Sequence, residues 1–113
     1  MPDLIDNPLG TTLEESMLEG FGGFPDKVFL IDCGGGRFAA NNATLPDGQT
    51  VDGLATFPDA DEATTYMGLL AGLSGEIVSK KFEEARQIAI GKPRLMCLFL
   101  FVAGRIADVH WVR

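Results

Sequence analysis

Histidine, cysteine and long apolar stretches are the scarcest features of this 113-residue chain. One histidine and two cysteines are too few for a zinc site of imidazole and thiolate ligands, and too few for a disulfide scaffold. The longest apolar run is nine residues, at positions 95–103, whereas a membrane-spanning helix needs about 18. We therefore expect no membrane span, no metal and no other cofactor.

Basic residues are also few, since nine lysines and arginines stand against 16 acidic residues and the formal net charge is −7. Proteins that bind nucleic acids draw their affinity from clustered basic residues, so we expect no nucleic-acid partner. The N-terminus carries none of the early basic residues of a secretory signal. Both cysteines adjoin apolar runs, which suits reduced, buried thiols and a cytoplasmic protein. The alternative for the thiols is a Cys33–Cys97 disulfide.

The first 26 residues form an acidic arm with six carboxylates and no basic residue, whereas residues 76–113 carry a net charge of +3. Thr12 and Glu15 match a capping box that would begin a helix of about eight residues, followed by a glycine- and phenylalanine-containing connector. A helix this short is marginal alone and is ordered only when it docks on something. If the arm serves a partner, deleting residues 1–24 should barely change the melting temperature.

Residues 27–113 are predicted to form a single domain, which is large enough to bury one sizeable core. Two amphipathic helices are predicted, one that begins at Asp59 with acidic residues in its first turn and one over residues 81–90. The asparagine pair and the Leu-Pro-Asp-Gly segment predict a turn over residues 41–50. The predicted strands are 27–33, 37–40, 51–57, 76–79, 94–103 and 106–113.

This order of elements predicts an α+β fold, with a mixed α/β arrangement as the alternative. We expect a small, single-layer, mainly antiparallel sheet with both amphipathic helices on one face and the short N-terminal helical arm beside it. Residues 95–103 are apolar at every position, which predicts a central strand covered on both faces. Because two helices lie most simply on one face, we expect a second protomer on the other. Along the last strand, one predicted face holds Ala107, Val109 and Trp111, and the other holds Ile106, Asp108, His110 and Val112.

Asp32 and the glycines at 34–36 form the sharpest local pattern, a predicted strand that ends in a glycine run. Gly34, Gly36 and Ala39 satisfy the dinucleotide-binding spacing, but no helix fits after Ala39 to meet a pyrophosphate. A strand that ends in Asp-x-Gly-Gly-Gly resembles the phosphate loop of the actin, sugar-kinase and heat-shock ATPase superfamily. That resemblance covers about nine residues of 113 and implies a metal near Asp32, with phosphate held by the amides of Gly34, Gly35 and Gly36. The main prediction is a glycine hairpin turn.

Three residues could in principle form a cysteine hydrolase site. Asp108 and His110 lie two apart on one strand, and Cys97 lies on the strand before it, so a nucleophile, a base and an orienting acid are all available. A thiol within nine apolar residues is expected to be inert, however, because burial raises its pKa. We therefore predict no catalytic residue, and a half-buried edge histidine beside an acid. The acidic clusters at 47–52 and 59–62 are predicted to serve a turn and a helix cap.

These observations predict a small non-enzymatic module for protein–protein interaction, as an adaptor or in assembly, that associates with itself or with another protein. Few residues of the chain are suited to catalysis, the arm is too short to fold alone, and the last hairpin is rich in apolar residues. Large aromatic residues dominate interface energetics, so the predicted interface anchors are Phe21, Phe24 and Trp111. The alternative is a small-ligand or nucleotide-phosphate binder that uses the loop at residues 32–36.

Overall fold

The computed structural model describes residues 11–13, 23–70 and 73–113. Within these residues the chain forms an α+β fold with mostly antiparallel strands, which confirms the predicted class. The helices are α1 (Ala60–Leu69) and α2 (Phe82–Ile90). The strands are β1 (Thr11–Thr12), β2 (Lys27–Gly34), β3 (Arg37–Phe38), β4 (Ala40–Thr44), β5 (Thr50–Thr56), β6 (Glu76–Lys81), β7 (Leu95–Val102) and β8 (Arg105–Trp111).

The strands belong to two sheets, so the predicted single layer is wrong. One sheet has the order β1-β4-β5-β7-β8 and the other has the order β3-β2-β6. The chain changes sheets at Ala39, whose N–H donates to the Ile31 carbonyl of β2 and whose carbonyl accepts from Ala55 of β5. Strands that switch sheets in this way make the corners of folded sheets. A sequence pattern predicts the strands but does not show where one strand leaves its first partner.

The two helices cover opposite faces of the larger sheet, whereas the sequence predicted both on one face. Leu98 and Phe99 are successive residues of β7 and therefore point to opposite faces. Leu98 packs in a cluster with Ala85 and Ala89 of α2, and Phe99 packs in a second cluster with Tyr66 of α1. Central strand β7 is thus covered on both faces by its own chain. Neither face of β7 is therefore left for a second protomer to cover, contrary to the expectation from sequence.

The helix ends follow their local signals. Asp59 caps α1 as predicted, because its carboxylate accepts a 2.8 Å hydrogen bond from the Glu62 N–H. At the start of α2 the Lys81 N–H donates to the Glu84 carboxylate at 2.9 Å. The Arg113 guanidinium donates to carbonyls at the end of α2, where a cation also suits the helix dipole.

Two stretches of backbone depart from the sequence prediction. Residues 41–44 belong to β4 instead of the predicted turn, which is confined to residues 45–49, because pairing with β5 outweighs the turn preference of the asparagines. In β8 the register shifts opposite Leu100 and Phe101, so Ile106 packs on the α1 side and not beside Asp108.

The acidic arm is partly built into the domain. Thr11 and Thr12 pair in parallel with β4, and the Leu13 N–H continues that pairing with a 2.8 Å bond to the Thr44 carbonyl. Leu13 is 1% exposed and belongs to the α1-side core. Because a deletion of residues 1–24 would remove this core side chain, we expect it to lower the melting temperature instead of leaving it nearly unchanged. Thr12, the predicted cap, belongs to β1, and residues 14–19 of the predicted helix lie outside the described residues.

Candidate functional site

The three hydrolase candidates are not brought together. Cys97 belongs to the α1-side cluster, whereas His110 lies opposite Leu98, whose side chain belongs to the α2-side cluster. Directly opposed residues of an antiparallel pair share a face, so the thiol and the imidazole are on opposite sides of the sheet. Burial raises the pKa of the Cys97 thiol to about 12, which keeps it protonated at neutral pH. Both cysteines are free, as predicted.

Asp108 and His110 share a face, as predicted, but each makes structural contacts there. The Asp108 carboxylate is 2% exposed and accepts a 2.6 Å hydrogen bond from the Gly23 N–H, which holds the end of the arm. The His110 ring packs edge-on against Phe82 at 5.0 Å and against Phe24 at 6.1 Å between ring centroids. This arrangement fixes the arm beside β8 and gives the imidazole an aromatic environment.

The predicted interface anchors have different surroundings. Phe24 is half-buried against Phe82 and His110 of its own chain, and half-buried Trp111 packs against the α1-side core. Phe21 lies outside the described residues. Phe24 and Trp111 therefore each make contacts within their own chain, and their role as interface anchors stays a prediction.

The glycine run forms the turn of the β2–β3 hairpin, which confirms the predicted hairpin turn. Gly34 pairs with Arg37, and the two residues between them, Gly35 and Gly36, have φ values of +63° and +79°. Two central residues with positive φ are the mark of a type I′ turn, which suits the twist of the flanking strands. Strand β3 follows the turn, so no helix N-terminus is available at this point to meet a phosphate.

The polar groups of the loop bind one another. The Asp32 carboxylate accepts from the Gly34 N–H at 2.8 Å, which occupies one of the amides that a phosphate would need. Arg37 Nε donates to the Gly34 carbonyl at 3.2 Å, and Lys92 Nζ donates to the Gly36 carbonyl at 2.9 Å. The loop therefore has an internal hydrogen-bond network that stabilises a turn.

Replacing Gly35 by alanine tests the turn directly. No described atom lies within 4 Å of the added methyl group, so the cost comes from the φ of +63° alone. We expect the free energy of unfolding to fall by about 1–2 kcal/mol in thermal denaturation. Nucleotide should change the melting temperature of neither protein. A saturable nucleotide shift in the wild type that Gly35→Ala abolishes would instead support phosphate binding.

A site that sequence analysis missed is the outer edge of β6, the last strand of the smaller sheet. The hydrogen bonds of the neighbouring strand, β2, show in which direction the backbone N–H and C=O groups of β6 point. Phe29 exchanges two backbone hydrogen bonds with Phe57, and the Ile31 carbonyl accepts from Ala39. The backbone groups of Phe29 and Ile31 thus point away from β6, and those of the alternate residues of β2 point toward it.

The register then shows which groups of β6 remain open. Leu30 lies opposite Val78, so these two residues form a hydrogen-bonded pair and their neighbours do not. Ile77 and Ser79 accordingly direct their N–H and C=O groups outward, where no described residue binds them. The outward N–H of Lys81 is bound by the Glu84 carboxylate. The open edge therefore consists of four backbone groups, two donors and two acceptors.

A groove continues this edge toward the first turn of α2. Its volume is about 640 Å³. Basic and acidic side chains line it in equal number, so it suits a backbone segment that carries both signs of charge. The charged lining residues are Lys27, Lys80, Lys81, Asp26, Glu83 and Glu84.

The outer edge of β8 has a different environment. Gly23 binds the Asp108 side chain and Phe24 contacts His110, so the chain itself passes beside that strand. For β6, the sequence predicted a strand at 76–79, and the glutamate at its start and the two lysines that follow it are visible in the sequence. Its edge position is not visible, because that depends on pairing with a strand almost 50 residues earlier.

Comparison with protein-family models, with curated proteins and with solved structures found no match to this chain. Among residues 11–13, 23–70 and 73–113, no helix is long and apolar enough to cross a membrane. The same residues contain no cluster of three or more side chains that could hold a metal ion.

Proposed function

We propose that this protein is a small non-enzymatic interaction module that binds an extended protein segment by strand addition at the edge of β6. The observation that carries the proposal is the open backbone of Ile77 and Ser79 beside a groove. In strand addition the main chain supplies affinity and the flanking side chains supply specificity. A cytoplasmic location is part of the same proposal, because it suits two free thiols.

Two features of β6 indicate that its edge receives another strand and is not merely exposed to solvent. Natural edge strands are commonly blocked by proline, by a bulge or by a covering segment. Strand β6 has regular pairing with β2 over six residues and contains no proline, so its edge is straight enough to receive another strand. Its two lysines discourage unselective association, which leaves a partner with complementary charge as the favoured occupant.

Proline at position 79 tests the proposal. Ser79→Pro removes one open N–H but no hydrogen bond to β2, because Ser79 and Phe29 are a non-hydrogen-bonded pair. Ser79→Ala keeps the N–H and is the matched control. We expect extended peptides selected from a displayed library to bind the wild type and Ser79→Ala, and to bind Ser79→Pro at least about tenfold more weakly. Hydrogen exchange should show the Ile77 and Ser79 amides protected in the complex.

Peptides that bind all three proteins equally would place the binding surface elsewhere and contradict the proposal. Failure to select any peptide, combined with unprotected Ile77 and Ser79 amides at high protein concentration, would also contradict it. Circular dichroism of each variant establishes that loss of binding is not loss of folding.

A further inference from the structure

We infer that the segment bound at the β6 edge is the β6 strand of a second copy of this chain, paired antiparallel about a twofold axis at Val78. The inference rests on the proposed function and names its partner. It would join the two small sheets into one continuous sheet with the order β3-β2-β6-β6-β2-β3. Three independent features of β6 point to the same register.

The first feature is the position of the open groups. In an antiparallel ladder, a hydrogen-bonded pair of residues exchanges both of its N–H···O bonds. With Val78 on the axis, Ile77 of one copy faces Ser79 of the other, and the symmetric pair forms as well. Four hydrogen bonds then use every open donor and acceptor that the two edges contain.

The second feature is that the neighbouring registers are less favourable. Moving the axis to Ser79 would pair Ile77 with Lys81, but the Lys81 N–H is already bound to the Glu84 carboxylate at 2.9 Å. Moving it to Ile77 would pair Ser79 with Gly75 and would place Glu76 opposite Val78, where it has no basic residue to meet. With the axis at Val78, Lys81 lies opposite Gly75 at the end of the ladder, and the four hydrogen bonds of Ile77 and Ser79 do not use the bound Lys81 N–H.

The third feature is charge. With Val78 on the axis, Glu76 of one copy lies opposite Lys80 of the other, and the symmetry forms this pair twice. The strand is therefore self-complementary when it runs antiparallel to itself.

A charge exchange tests the register. Glu76→Lys and Lys80→Glu each place like charges opposite each other, so each variant should dimerise at least about tenfold more weakly than the wild type in analytical ultracentrifugation. The double variant Glu76→Lys/Lys80→Glu should recover the wild-type dissociation constant. A mixture of the two single variants should form a heterodimer, because both pairs across the axis are then of opposite charge.

A cross-link tests the axis. Val78 would face its own copy in a non-hydrogen-bonded pair with a Cα separation of about 4.5 Å, which a disulfide can span. Val78→Cys in a Cys33→Ser background should therefore form a disulfide-linked dimer under mild oxidation. Ser79→Cys in the same background is the matched control, because its copy lies on a diagonal about 7–8 Å away and should not cross-link.

The outcomes separate the inference from the proposed function. The wild type could remain monomeric across micromolar concentrations while peptides still bind it and Ser79→Pro still weakens that binding. This result would contradict the inference that the partner is a second copy, but it would agree with strand addition at β6. A dimer that Ser79→Pro and the charge variants do not weaken would overturn the β6 axis. A dimer that Ser79→Pro and both single charge variants weaken, and that the charge exchange restores, is the expected result.

Discussion

Replacing Leu13 by alanine is expected to lower the free energy of unfolding by about 3–5 kcal/mol. Leu13 is 1% exposed and packs in the α1-side core although it lies in the acidic arm. Removing its side chain loses the transfer free energy of three carbon atoms and leaves a cavity that the surrounding sheet fills only in part. For a domain of this size the loss corresponds to a melting temperature lower by more than about 10 °C.

Leu69→Ala is the matched control for Leu13→Ala. Leu69 is 51% exposed at the end of α1, so the same chemical change should cost less than about 1 kcal/mol. Urea denaturation followed by circular dichroism gives both values. Equal, small effects of the two substitutions would show that the arm is dispensable, as the sequence first predicted.

Replacing Gly53 by alanine is expected to be the second most damaging single change. Gly53 lies in β5 beneath the Phe99 ring, and an added Cβ would come within 2.5 Å of two ring carbons. Phe99 is fully buried and its ring packs against Phe101 at 6.3 Å, so the ring has little room to move away. Overpacking of this kind costs about 1–3 kcal/mol and occasionally more.

Gly68→Ala is the control, and it is expected to change the stability of the protein in the opposite direction. Gly68 is an exposed residue of α1 with no described atom within 4 Å of an added Cβ, so alanine there should stabilise the protein by up to about 1 kcal/mol. Phe99→Leu combined with Gly53→Ala should recover part of the loss, which a double-mutant cycle measures. A shift of the same sign and size for Gly53→Ala and Gly68→Ala would contradict the close contact with Phe99.

The candidate site was only partly predictable. Asp32 and the glycine run were correctly assigned to a turn, because positive φ at adjacent residues is a local demand that glycine meets. The Cys97, His110 and Asp108 combination failed because of the register shift in β8, which alternation alone does not predict. Counted back from the turn at Val102 and Arg105, residues 97 and 110 would be directly opposed, but the shift between Leu100 and Phe101 moves them one step apart, and one step reverses the face.

The sequence by itself determined the elements whose causes are local. The cap at Asp59, the hairpin turn at Gly35 and Gly36 and the apolar strand at β7 depend on residues within a few positions of one another. Hydrogen bonding, φ preference and side-chain periodicity act over that distance, so the pattern predicts them directly.

Only the tertiary structure decided which elements meet. The change of sheets at Ala39, the helices on opposite faces of β7 and the pairing of Leu13 with Thr44 each join residues far apart in the chain. The same holds for the open edge of β6, since it is open only because no described strand pairs beyond it. Such contacts are selected by the burial of the whole apolar surface at once, and a local pattern is compatible with more than one way of achieving it.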